Sequence, residues 1–193
     1  MSARAASGRH AGGRHGTANG IRMKPNIPAL PLSERTIVIG NSGSGKSTLA
    51  RRLSERLGVP VIDLDTLHWE TAGYGLKRDE KVAACMAAKA ASKQRWVIEG
   101  VYGWLAAVAA PRATALIWLD LSWSECRAGL IERGPRRGAD ADAFAALLSW
   151  GEAYWSRPTS SSHDGHRRMF EAFASPKLRL QRRGEIDEFI ARM

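Results

Sequence analysis

The sequence is poor in cysteine, with two thiols, Cys85 and Cys126, among 193 residues. Two such residues cannot build a disulfide framework, and they have no metal-ligand spacing, so the chain reads as a cytoplasmic protein of a reducing compartment. Long hydrophobic runs are missing too. The best stretch, 104–110, stops at Pro111, far short of the roughly 20 residues a membrane helix needs. Acid is absent from the first 32 residues. They carry Arg4, Arg9, Arg14, Arg22 and Lys24, and so hold half of the net charge of +10. Rich in Gly, Ala, Ser and His and without a period, residues 1–32 cannot bury enough apolar surface to offset the entropy of ordering them. A disordered basic tail is expected there. If nucleic acid is a partner, this tail is what would hold it. A transit peptide shares this composition, whereas the lack of an apolar core argues against a secretion signal.

Beyond the tail the pattern changes, and residues 33–193 read as one domain. A β-branched run, Thr36-Ile37-Val38-Ile39, ends at Gly40 and predicts a buried strand. A helix is expected over 46–57, with Leu49, Leu53 and Leu57 on one face and Gly58 as its stop. Further strands are expected at 59–62, 96–98, 113–119 and 177–180, and further helices at 77–94, 122–132, 140–155 and 185–192. Continuously apolar strands alternating with helices predict an α/β domain with a parallel sheet covered on both faces.

Between the first strand and the first helix lies Gly40-Asn41-Ser42-Gly43-Ser44-Gly45-Lys46-Ser47-Thr48. It matches G-x-x-x-x-G-K-[ST] at every fixed position and in the strand–loop–helix setting that motif demands. Glycines let successive amides turn inward around an anion, and the helix N-terminus adds its positive end. Lys46 can reach the β- and γ-phosphates of a nucleotide, and the Ser47 hydroxyl can ligate Mg²⁺. All nine residues are candidate nucleotide-binding positions.

A phosphate loop alone does not separate GTPase, motor and kinase. The sequence has no D-x-x-G and no N-K-x-D, and no apolar strand ends in Asp-Glu, so the usual switch, guanine-reading and motor signatures are missing. It does have Asp63 and Asp65, two residues apart where the second strand ends. Ligands of open parallel sheets bind beyond the carboxyl ends of the strands, which puts both on the rim of the phosphate loop. One carboxylate, Asp63, is a candidate metal-water ligand beside Ser47. The other can orient an acceptor hydroxyl or take its proton. The competing structural use is capping a short turn.

Together with Leu67-His68-Trp69 and Trp96-Val97-Ile98-Glu99-Gly100, these motifs resemble the small P-loop kinases of the adenylate, shikimate and gluconate kinase type. The resemblance is closest to the adenylate-kinase-related FlaR-type proteins, the DNA topology modulation kinases, and it extends over nearly everything after the tail. It implies a P-loop NTPase fold of three α/β/α layers, a five-stranded parallel sheet in order 2-3-1-4-5, ATP with Mg²⁺, and an arginine-rich lid. Adenylate kinases end the third strand in Asp-Gly-Phe-Pro-Arg. Here Glu99-Gly100-Val101-Tyr102-Gly103 lacks the Pro and the Arg that helps grip a nucleoside monophosphate. The Asp pair followed by Leu-His resembles the hydroxyl-phosphorylating members instead. ATP-dependent phosphorylation of a small-molecule hydroxyl is therefore expected, ahead of a nucleoside monophosphate kinase or a nucleic-acid-associated ATPase.

The lid, around 133–140, is also a charge argument. Arg133, Arg136 and Arg137 cluster about Gly134-Pro135 and Gly138, where Gly and Pro break the helix and permit a hinge. Arg133 and Arg137 are the candidates to gather charge on a transferring phosphoryl group, against the plainer use as a solvated basic loop. Arg157 and Arg182–Arg183 are weaker candidates on the acceptor and adenine sides. Glu99 is either a supporting group for Mg²⁺ or a turn cap, and His68 either faces the acceptor or sits on the rim. Trp96 and Trp118 lie in expected buried strands. Trp150 and Trp155 share a helix with Phe144, Leu147, Leu148 and Tyr154, where core packing is the expected use.

Overall fold

The structure is a computed structural model that describes Met1 and residues 34–70, 75–136 and 138–193. The expected basic tail and Arg137 thus lie outside the described residues, Met1 apart.

Five strands form one parallel sheet in the order β2-β3-β1-β4-β5, as the resemblance implies. They are β1 (Arg35–Gly40), β2 (Val61–Asp63), β3 (Trp96–Gly100), β4 (Ala115–Leu119) and β5 (Lys177–Leu180). β3 and β4 are buried throughout and β1 from Thr36 onward, which is why they read as apolar runs. Alternate residues serve opposite layers. Val38, Val97, Ile117 and Leu119 pack with Leu49 and Leu53 of α1 (Lys46–Leu57), Cys126 of α5 (Trp123–Arg133), and Ile186 and Phe189 of α8 (Arg183–Arg192). Ile37, Ile39, Ile98, Leu116 and Trp118 pack with the alanines of α3 (Glu80–Ala91) and with Leu105 of α4 (Gly103–Ala109). Each fully buried Leu or Ile contributes about 1.5–3 kcal/mol.

Register places the site. Asp63 lies opposite Glu99, and Glu99 lies opposite Val38 one step before β1 reaches Ile39 and Gly40. The ends of β1, β2 and β3 therefore share one rim.

The structure departs from the expected elements at several points. The 77–94 helix is shorter, because Asp79 caps it by accepting from the amides of Lys81 and Val82. A five-residue helix, α2 (Leu64–His68), follows β2 directly, and α4 and α7 (His163–Ala172) are helices beyond the expected ones. α2 is too short for a period to show, α4 is apolar on every side, and α7 opens on a Ser162 cap that accepts from Gly165 N at 3.1 Å. The expected 140–155 helix is α6 (Ala141–Glu152) plus one 3-10 turn, and its apolar residues are not core. Among α6 residues only Gly151 is buried, and Trp155 is 41% exposed. Tyr154 alone of that group is buried, beside His166. Trp96 and Trp118 are fully buried, as expected.

Candidate active site

α1 begins with Gly45 at φ +95°, with no side-chain cap and no acid in its first turn. By contrast α2, α3, α5, α6 and α7 all open on an Asp or Ser cap. The leading amides of α1 are left to an anion, with the helix dipole behind them. Gly43, at φ +80°, allows the loop to lie against α5; a Cβ there would come within 2.1 Å of Cys126 O. The loop also closes on itself, Ser44 N donating to Asn41 O at 3.2 Å. Asn41 is buried, and its Nδ2 donates to Gly151 O at 2.8 Å, tying the loop to the end of α6. Lys46 Nζ lies back along the loop and donates to the same Asn41 O at 2.8 Å.

A cavity of about 500 Å³ opens over this loop. Of the nine loop candidates, Ser42, Gly43, Gly45, Lys46, Ser47 and Thr48 line it. Gly40, Asn41 and Ser44 are buried and form the loop's support. Asp63 and Asp65 line the same cavity, so the expected convergence of the Asp pair with the phosphate loop is present. Asp63 is also a cap: its Oδ1 accepts from Asp65 N at 2.8 Å. The capping bond leaves Asp63 on the cavity wall. Arg133, the last residue of α5, and Arg136 both reach the cavity, together with Leu147 of α6.

Two lining residues were undervalued in the sequence. Glu99, 3% exposed at the end of β3, is a buried carboxyl beside the loop. Burial, with the charges of Asp63 and Asp65, pushes it up to about 7, although Lys46 and a hydrogen bond with Ser47 hold it down. A carboxylate closing an otherwise apolar strand was its signal. The other is Arg183, whose partners come from distant segments.

Other candidates fall elsewhere. Arg157 stacks on the Trp150 ring at 3.7 Å and donates to Ser161 O at 2.9 Å and to Trp150 O, apart from the cavity lining. His68 is buried and stacked on Tyr102, with ring centroids 4.0 Å apart. His166 is fully buried; its Nε2 meets Val101 O at 3.0 Å and its Nδ1 meets Tyr154 OH at 2.6 Å. Burial lowers it to about 3, so it is neutral, with Nε2 donating to the carbonyl and Nδ1 accepting from the hydroxyl.

The groups that could hold a cation offer oxygen: the Ser47 hydroxyl and the Asp63 carboxylate, with Asp65 and Glu99 on the same cavity wall. That hard set suits Mg²⁺. Among the described residues no group of three or more His, Cys, Asp or Glu is placed to hold a metal ion.

A parallel sheet in this order, with a glycine-rich loop feeding α1 and carboxylates on the neighbouring strand ends, defines a P-loop nucleotide-binding fold, the fold of the small P-loop kinases. A family model described as AAA domain matches residues 36–115, the span holding the loop, Asp63, Asp65 and Glu99. None of the curated proteins matches the chain in sequence. Among solved structures, a gluconokinase from Sinorhizobium meliloti 1021 aligns over 81% of this chain and 87% of its own, at 20% identity and TM-score 0.51. An unliganded sugar kinase from Janibacter sp. HTCC2649 aligns over 83% and 91%, at 16% identity and TM-score 0.49. A shikimate kinase from Bacteroides thetaiotaomicron aligns over 82% and 94%, at 17% identity and TM-score 0.45. The gluconokinase likeness is one of fold. No helix among the described residues is long and apolar enough to cross a membrane.

Proposed function

We propose that the protein is an ATP-dependent kinase that transfers the γ-phosphoryl group to a hydroxyl of a small molecule. The observation that carries this reading is the convergence in one cavity of Lys46 and Ser47, the carboxylates of Asp63, Asp65 and Glu99, and the guanidiniums of Arg133 and Arg136. The loop amides and Lys46 hold the β- and γ-phosphates, and the same ammonium offsets the negative charge that gathers as the bond to the leaving ADP oxygen breaks. Ser47 and Asp63 would hold Mg²⁺, which when bound draws charge from the phosphate oxygens. Asp65 orients the acceptor hydroxyl. As that oxygen bonds to phosphorus, its proton passes to the Asp65 carboxylate. The segment around 133–140 acts as a lid: Arg133, Arg136 and Arg137 close over the phosphoryl group and exclude water. A hydroxyl is favoured over a nucleoside monophosphate because Val101-Tyr102-Gly103, after Glu99-Gly100, brings no arginine to grip the phosphate of a nucleoside monophosphate, while Asp65 is at hand for a hydroxyl proton. The gluconokinase of like fold supports the same substrate class.

Free Cys85 and Cys126 agree with a reducing compartment, and we place the activity in the cytoplasm. The test is ADP release from Mg·ATP with a panel of sugar acids, polyols and AMP, with the product followed by phosphorus NMR. A phosphomonoester of a hydroxyl compound is expected. ADP formed only in the presence of AMP, or only by hydrolysis, contradicts the reading.

A further inference from the structure

When amides of a phosphate loop turn inward to face an anion, the carbonyls of the same peptides turn outward, and each then needs a donor. Arg183, the first residue of α8, supplies donors to two of them. Its Nη1 donates to Ser44 O at 3.2 Å and its Nη2 to Gly43 O at 3.1 Å. The guanidinium is itself placed from α5, with Nη2 reaching Glu125 O at 3.4 Å and the Arg183 amide donating to Glu125 Oε1 at 3.0 Å. Burial opposes the charge on Glu125. The bonds from Arg183 and from the Ser122 amide and hydroxyl outweigh it and hold the carboxyl below its ordinary range. Arg183 is half-buried and lines the cavity, so close to the loop that a Cβ on Gly45 would stand 2.7 Å from its Nη1.

Peptide planarity turns these bonds into control of the amides. Gly43 O shares a plane with Ser44 N–H, the donor that closes the loop onto Asn41 O. Ser44 O shares a plane with the N–H of Gly45, a residue of the cavity lining. One guanidinium fork fixes both planes, which a lysine ammonium, as a point donor, does not do.

We propose that Arg183 is a positioning residue for the triphosphate, pinning the outward carbonyls of Gly43 and Ser44 so that the loop amides stay aimed at phosphate. The inference rests on the nucleotide reading given above. It makes the contribution of Arg183 one to the phosphates and not to the nucleoside. The experiment is calorimetric titration of Mg·ATP and of Mg·tripolyphosphate into the full chain, its R183M variant and its R183K variant, with the Tm of each recorded without ligand. Both probes are expected to bind about tenfold or more weakly in both variants, as the loss of charge-assisted bonds on the loop implies. Binding of Mg·ATP by R183M within about twofold of the parent overturns the proposal. A loss for Mg·ATP that spares tripolyphosphate overturns it by putting Arg183 on the nucleoside, and parent-like binding by R183K overturns it by making charge alone sufficient. Should R183M fail to fold, R183K decides. A parent that binds neither probe removes the nucleotide reading itself, a result distinct from equal binding by parent and variants.

Discussion

The two sides of the cavity are built by opposite means. The donor side is main chain: Gly43 and Gly45 at positive φ, Ser44 N bonded to Asn41 O, and Asn41 bonded through Nδ2 to Gly151 O. The facing side is made of exposed side chains, among them Arg133 and Arg136. Arg133 ends α5, Gly134 and Gly138 stand at positive φ, and α6 buries only one of its residues. A loop tied down by its own main chain, facing exposed arginines, is an arrangement that suits the proposed phosphoryl transfer. One side must hold the phosphates without reorganising, and the other must admit the acceptor and then close.

The contrast makes the facing side the place to lose rate without losing binding. Replacing Arg133 and Arg136 together by Ala is expected to lower kcat by about 10³-fold or more, with the Kd for Mg·ATP changed by less than about threefold. Rapid-quench kinetics beside calorimetry checks the split. An equal loss in both quantities would place these arginines in ground-state binding and end the distinction between the two sides.

A smaller effect probes the junction between them at Glu99. Its folded-state value near 7 lies above the ordinary 4.5, so the folded chain holds a proton that the unfolded chain has lost. The stability due to this group is thus fully present below about 4.5 and is lost as pH rises through about 7. Glu99→Gln removes that slope. Measured by urea unfolding without metal or nucleotide, the variant is expected to gain on the parent by on the order of 2–3 kcal/mol between pH 4.5 and 8. Parallel stability curves for the two proteins would show that folding does not raise the Glu99 carboxyl.

The same contrast explains what was legible in the sequence. The donor side is local: nine consecutive residues fix strand end, loop and helix start, and the Gly45-Lys46-Ser47 junction can be read without knowledge of the rest. Asp63 and Asp65 were legible because strand ends in a parallel sheet share a rim. The supports were not, since they join segments far apart in the chain. Arg183 meets Gly43 and Ser44 from β5's far end, and Asn41 meets Gly151 across 110 positions. Glu99 was visible as a carboxylate in an apolar strand, but its weight comes from burial beside Asp63, which only the β2–β3 register supplies. The apolar residues of α6 misled for a related reason. Periodicity says that a helix has an apolar face, not what covers it, and here Phe144, Leu147, Leu148 and Trp150 stay half-buried, with Leu147 at the cavity.

All of this depends on the loop gripping a nucleotide through Lys46. Calorimetric titration of Mg·ATP into the parent chain and into Lys46→Met tests it most directly. The expected result is one saturable site per chain in the parent and binding weaker by about 100-fold or more in the folded variant. A folded parent that takes up no Mg·ATP, or a variant that binds as tightly as the parent, would contradict it.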